Sequence, residues 1–248
     1  PPSPVRSPMT ERATPPRPHH KLTEDGRRKR EVLSYSRRGS RFTPRQQAAW
    51  DLHHQKWVVT EETAADEDFT WEQAFGRRAP MVVEIGSGVG EATAALAATR
   101  PDVDVLALEV WNPGVADTLW KLADVGADNV RLCTLDAAWT LAHRVAPRSV
   151  EEVWTFFPDP WPKTRHHKRR LVRADFAALV ADRLVPGGTW RLATDWADYA
   201  DQMRAVLDAE PGLVGGEVER WQERPVTRFE RKGLDVGRTI TDLAYTAR

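Results

Sequence analysis

The 248-residue sequence holds a single cysteine, Cys133, which leaves no means of forming an internal disulfide or a cysteine-based zinc cluster. No apolar run approaches the roughly 18 residues of a membrane span. The N-terminus lacks the apolar core of a signal peptide, which points away from secretion. A reducing cytoplasm fits these absences. Net charge is also absent, with 36 Lys+Arg against 36 Asp+Glu, but the zero conceals a segregation. Residues 1–50 carry 12 Lys+Arg against 4 Asp+Glu, residues 51–156 carry 8 against 18, and residues 157–248 carry 16 against 14. A basic arm and a basic run at 163–173 can together make one positive face on a neutral protein. A solvated tail and a charged helix would give the same count.

Seven prolines in residues 1–20 mark a disordered tail. Residues 21–79 read as a basic arm and helical extension, in which Trp50 and Trp57 suggest docking on the domain that follows. From residue 80 to 248 the pattern is that of one α/β domain. Near-continuous apolar runs at 81–86, 103–110, 130–136, 150–157 and 189–196 alternate with helical stretches at 91–100, 113–125 and 169–185. The PGG at 186–188 is expected to stop the last helix. Such runs predict an open sheet with parallel strands, helices on both faces and one antiparallel edge strand.

EIGSGVGE, residues 84–91, follows the first strand and opens a helix. Gly86, Gly88 and Gly90 permit a tight turn and close approach of backbone to a ligand. Their GxGxG spacing departs from the dinucleotide GxGxxG pattern. Carboxylates recur at or near all five strand ends: Glu84, Glu109, Asp136, Asp159 and Asp195. Ligands of open parallel sheets bind outside those ends. Glu109 suits bidentate acceptance from two ribose hydroxyls, Glu84 a ligand ammonium and Asp136 an adenine edge. Taken singly, each acid is equally suited to capping a helix.

FFPDPWPKTRHHKRR, residues 156–170, sets Asp159 between Pro158 and Pro160, follows it with Trp161, and then adds Lys163, Arg165, Lys168, Arg169, Arg170 and, three residues on, Arg173. The prolines restrict the backbone around Asp159. Trp161 either stacks on an exposed base or packs in the core. Cations at the start of a 169–185 helix oppose its dipole, which favours phosphate binding over a solvated face. His166 and His167 are adjacent and point different ways, so no metal site is expected.

The glycine loop and Glu109 resemble the S-adenosylmethionine-dependent methyltransferases of the Rossmann-like class. An acid-lined pocket suits a cationic sulfonium cofactor, whereas NAD or ATP would bring phosphates to it. The resemblance narrows at FFPDPWPK to the bacterial tRNA (guanine-N7-)-methyltransferases, which methylate guanosine 46 of the tRNA variable loop. RHHKRR at 165–170, ATDW at 193–196, TRFE at 227–230 and SRRGSRFTPRQ near the N-terminus are similar to that family's segments, over roughly residues 34–248. Arg228 replaces a commoner lysine, and Pro162 a common histidine. The resemblance implies a cofactor set of Glu84, Gly86, Gly88, Glu109, Asp136 and Asp159, with Asp159 also catalytic. It implies substrate contacts at Lys163, Asp195, Thr227, Arg228, Phe229 and Glu230. RNA contacts would come from Arg165, His166, His167, Lys168, Arg169 and Arg170. S-adenosyl-L-methionine is the expected cofactor and tRNA the expected partner, with no metal, no membrane, no obligate protein partner, and a monomer or weak homodimer.

The chemistry has its own logic. Guanine N7 carries an in-plane lone pair and needs no general base. Its methylation puts positive charge on the purine, so a carboxylate that orients the ring and balances that charge supplies the rate. Three alternatives stand beside this reading. An exocyclic amine of another RNA or small molecule would use PDPW in the manner of an NPPY-like segment. A non-catalytic RNA-binding protein would retain the fold alone. Locally, Thr227 and Glu230 stand at capping-box spacing, and Asp195 precedes a helix it would cap.

Overall fold

The computed structural model describes residues 33–35 and 39–248. The expected tail at 1–20 and the first part of the arm lie outside the described residues. Among the described residues, three helices precede the sheet: α1 (Pro44–Trp57), α2 (Glu61–Ala65) and α3 (Trp71–Phe75). Thr43 starts α1 with a capping box, its side chain accepting from the Gln46 N–H while Gln46 accepts from the Thr43 N–H, and Pro44 occupies the first turn where no backbone donor is needed. The helix lies on the later helix α5 (Asn112–Val125). Gln46 donates to the Pro113 carbonyl and to Asp117, and the buried Trp57 indole donates to the Ala127 carbonyl at 2.8 Å. Trp57 therefore joins the core, while Trp50 stays half-buried and stacks on His54.

The sheet holds β1 (Met81–Ile85), β2 (Asp104–Leu108), β3 (Val130–Cys133), β4 (Val150–Phe156), β5 (Leu184–Thr194), β6 (Leu213–Val218) and β7 (Thr241–Ala247), in the order β3-β2-β1-β4-β5-β7-β6. Strands β1 to β5 pair in parallel; β7 runs antiparallel to both β5 and β6, so the reversed strand lies one in from that edge. All five residues of β2 are buried, as a strand covered on both faces requires. One cluster of buried side chains includes Leu106, Val153 and Trp190, and the other includes Val105, Leu119 and Trp154, one on each side of the sheet. Chain order reverses at β1, whose neighbours β2 and β4 receive crossovers in opposite directions, and that opens a crevice at the strands' carboxyl ends.

Three expectations need correction. The helix read over 169–185 begins at Ala174, as α7 (Ala174–Arg183), and Thr164–Arg169 is a separate 3-10 helix. Most of the basic run therefore precedes α7, and only Arg173, the residue at its N-cap, stands at the start of that helix. Pro186–Gly188 does not divide helix from strand either. β5 already begins at Leu184, and the glycines fall where its pairing with β4 slips between Val150 and Glu152. The third strand ends at Cys133, because Asp136 caps α6 (Ala137–Arg144). The remaining helices are α4 (Glu91–Thr99), α8 (Ala197–Asp208) and α9 (Arg228–Asp235).

Candidate active site

A cleft of about 470 Å³ opens at the carboxyl ends of β1, β2 and β4. The glycine loop forms one wall. Gly86, Gly88 and Gly90 have φ of 77°, 60° and 73°, so the turn is left-handed at alternate residues and needs glycine there. The loop reaches this position because α5 also has a glycine, Gly114, facing it. A Cβ at Gly114 would collide with the Gly88 carbonyl oxygen.

Glu109, directly after β2, ties the wall together. Its Oε2 accepts from the Gly88 N–H at 2.7 Å and its Oε1 from the Trp111 N–H at 2.8 Å. Each carboxylate oxygen has two lone pairs, so a carboxylate can accept from more than one donor at each oxygen. Glu84 is buried at the end of β1 and accepts from Thr93 Oγ1 at 2.5 Å. Burial pushes its carboxyl up to about 7. The Thr93 bond opposes that rise, and the nearby Glu109 charge adds to it. Asp136 both lines the cleft and caps α6, accepting from the Trp139 N–H at 3.0 Å. Ser87 Oγ, buried in the same wall, has no hydrogen-bond partner among the described residues. A buried hydroxyl left in this way suits a polar ligand seated against the loop.

The lining beyond β4 includes Asp159. Phe157 and Trp161 on either side of it hold left-handed backbones, with φ of 53° and 46°. Each such residue costs on the order of 1–3 kcal/mol unless its surroundings hold it. Here they do: the Phe157 N–H donates to the Ala193 carbonyl, its ring packs 5.5 Å from that of Phe229, and the Trp161 indole N–H donates to the Ser34 carbonyl. One ring face of Trp161 is occupied by the Arg169 guanidinium, 3.5 Å from the ring centroid. Trp161 is thus half-buried rather than a core residue, and one of its two faces is already taken.

The basic run divides. Lys163, Arg165 and Lys168 are exposed. His166 packs its ring edge-on near Trp161, and His167 lies near Asp198. Arg169 donates to the Leu33 and Tyr35 carbonyls at 2.9 Å each, which lays that stretch of the arm beside the cleft that Ser34 and Tyr35 line. Arg170 is buried, bonded to the Pro160 carbonyl, Gln202 and Asp198 and lying on the Tyr199 ring. Its guanidinium is committed inside the protein.

The other expected substrate residues also divide. Thr227, Arg228 and Phe229 line the cleft. Thr227 caps α9 as well, accepting from the Glu230 N–H at 3.2 Å. Glu230 turns away and is buried against Arg220 and Arg224. Asp195 does not cap α8. It is buried behind Gly233 and accepts from Arg238 at 2.6 Å, outside the cleft's lining. Lys163 also stands outside that lining. The sequence reading missed Ser87, Thr93 and Gly114. Only Gly114, in the NPG that begins α5, carried a local signal, as a helix-start glycine facing the loop.

Comparison with known proteins agrees with this geometry. A family model described as "Putative methyltransferase" matches residues 78–243. A Nocardioides sp. (strain ATCC BAA-499 / JS614) protein named tRNA (guanine-N(7)-)-methyltransferase is 66% identical over 234 residues, 94% of each chain. A Cutibacterium acnes protein of the same name is 46% identical over 230 residues, covering 88% of this chain and 83% of that one. Among solved structures, the 16S rRNA methyltransferase KamB superposes with a TM-score of 0.53 at 19% identity, over 71% of this chain and 92% of its own. An antibiotic-related methyltransferase does so with a TM-score of 0.52 at 15% identity, over 75% and 98%. The two structures establish a shared fold, and the sequence relatives establish more: the chain belongs to the tRNA (guanine-N7-)-methyltransferase family.

Proposed function

We propose that this protein transfers the methyl group of S-adenosyl-L-methionine to N7 of guanine in tRNA, at position 46 of the variable loop, giving 7-methylguanosine. The observation that carries this reading is the presence of Asp159 in the same cleft as Glu84, Glu109 and the glycine loop, in a chain 66% identical to a relative of that name. Nucleoside analysis of unmodified tRNA after reaction tests it. N1-, N2- or ribose-methylated products without 7-methylguanosine would sink it.

The cleft fits such a donor. Acids line it, and the buried hydroxyl of Ser87 stands ready for a polar group. Glu109 would accept from ribose hydroxyls, Asp136 would stand at the adenine edge and Glu84 would face the ammonium. The donor supplies an electrophilic methyl carried on a sulfonium. Asp159 would accept from the N1–H and N2–H of guanine, hold N7 in line and offset the positive charge the purine gains. It has no proton to remove, because N7 already presents its lone pair.

Glu84 makes the binding step pH-dependent. Below about pH 7 the free protein holds Glu84 largely protonated, and a bound cation favours the carboxylate. Binding of S-adenosylmethionine at pH 6 should therefore release a proton, and affinity should rise with pH up to about 7 and then level. 5′-Methylthioadenosine, which lacks the ammonium and the charge, should show neither effect, and Glu84→Gln should flatten the profile. Calorimetry in two buffers of different ionisation enthalpy measures the proton. Identical heats in both would contradict the assignment.

Lys163, Arg165 and Lys168, the exposed members of the basic run, would meet tRNA phosphates. Charge reversal at Arg165 and Lys168 should raise the KM for tRNA and reduce the slope of log K against log salt by about 1 for each phosphate that is no longer neutralised. An unchanged slope would remove them from the interface.

A further inference from the structure

Arg220, Arg224, Glu230 and Asp242 form a cluster outside the cleft, and Arg224 is its centre. Arg224 is buried, with its side chain fully withdrawn from solvent. One arm of its guanidinium donates to Glu230 on α9 at 2.7 Å. The other spans both carboxylate oxygens of Asp242 on β7, at 3.0 and 2.9 Å. The carbon of the same guanidinium lies 5.4 Å from the ring centroids of both Phe156 and Phe157. One planar cation thus touches three elements: the end of β4, the first turn of α9 and the start of β7.

These are the elements that carry the Asp159 end of the cleft. Phe157 holds its left-handed backbone two residues before Asp159. Thr227 and Phe229, in the line of residues fixed by Glu230, stand across from it, and the Phe157 and Phe229 rings meet. Burying a cation between two carboxylates is a poor way to gain stability, since apolar residues of similar volume often do as well or better. What the guanidinium supplies is a fixed planar fork that a lysine lacks.

We propose that Arg224 is a positioning residue for methyl transfer: it holds the Phe157–Asp159 segment and the Thr227–Phe229 segment in register across the place where guanine is held. Arg224 acts through these neighbours and touches no reactant. The inference rests on the proposed guanine-N7 transfer. It separates the two ends of the cleft, because Glu230, Asp242, Phe156 and Phe157, which the guanidinium meets, belong to the end that carries Asp159.

Two variants test it: Arg224→Lys, which keeps the charge and loses the fork, and R224M/E230Q/D242N, which removes charge from the whole trio and leaves the half-buried Arg220 facing a neutral glutamine in place of Glu230. Folding is checked by circular dichroism, cofactor affinity by calorimetry, and kcat and KM with unmodified tRNA. The expected result is a fall in kcat of at least tenfold in each folded variant, with the cofactor Kd and the KM for tRNA within threefold of wild type. A kcat within threefold of wild type in either folded variant would overturn the inference. So would a parallel loss of cofactor binding, or failure of both variants to fold, since each marks Arg224 as a residue of general stability. Wild-type protein that makes no 7-methylguanosine would overturn the reading of function itself, and that is seen before either variant is assayed.

Discussion

Asp159→Ala lowers kcat by about 100- to 1,000-fold, the range seen when one preorganised electrostatic contact to a developing charge is removed. Although the family resemblance counts Asp159 among the cofactor residues, the cofactor Kd should change less than kcat, because Glu84, Glu109, Ser87 and the glycine loop, which line the same cleft, are left in place. tRNA affinity also persists, since the exposed cations Lys163, Arg165 and Lys168 are unchanged. Asp159→Asn separates two roles. An asparagine still offers one acceptor and so still helps to orient guanine, but it carries no charge to set against the cationic purine. Asn should therefore recover part of the loss and leave a deficit in kcat. Single-turnover kinetics measure the transfer step itself. A rate in Asp159→Ala equal to wild type would remove Asp159 from catalysis.

Gly114→Ala is the second large effect, and it reaches the cofactor from behind. The added methyl would meet the Gly88 carbonyl oxygen and the Trp111 ring, the latter at 2.9 Å. The first obstacle is backbone and has no rotamer with which to move aside. Either α5 or the glycine loop shifts, and a shift of the loop breaks the 2.7 Å bond from the Gly88 N–H to Glu109. Overpacking of this kind costs about 1–3 kcal/mol. If the cost falls on the loop, cofactor affinity drops by about 10- to 100-fold, with a smaller loss of thermal stability. Calorimetric titration on protein shown to be folded decides it. An unchanged Kd would mean that the helix yields and the loop does not.

Much of the site was legible because its determinants are local. Strands buried on both faces become apolar runs, and β1, β2 and β4 were visible as such. Loops at their carboxyl ends then carry the glycines and acids, so Gly86, Gly88, Glu109, Asp136 and Asp159 could be placed at or near strand ends from the pattern, and the family resemblance joined them into one set. The failures have a common physical origin. Whether a cation faces solvent or protein depends on partners far along the chain. Arg169 meets carbonyls 136 and 134 residues away, and Arg170 meets an acid 28 residues away. Nothing within the RHHKRR run distinguishes them from Arg165. Glu230 shows the same limit. Its spacing from Thr227 suggested a cap and TRFE suggested a substrate contact. The cap holds at Thr227, but the Glu230 carboxylate goes to arginines at 220 and 224. The strands β6 and β7 escaped notice because LVGGEV has two glycines and TDLAYTA alternates weakly. Gly215 is required there, as a Cβ would strike the Ala244 carbonyl of the neighbouring strand.

What the proposed function turns on is a single atom of a single nucleotide. Unmodified tRNA treated with the protein and S-adenosylmethionine, then digested to nucleosides and separately mapped by chemical cleavage at 7-methylguanosine, identifies that atom and that nucleotide together. The expected result is one 7-methylguanosine per accepting tRNA, at position 46 of the variable loop, formed about 100- to 1,000-fold more slowly with Asp159→Ala. A different methylated nucleoside, or 7-methylguanosine at another position, would contradict it.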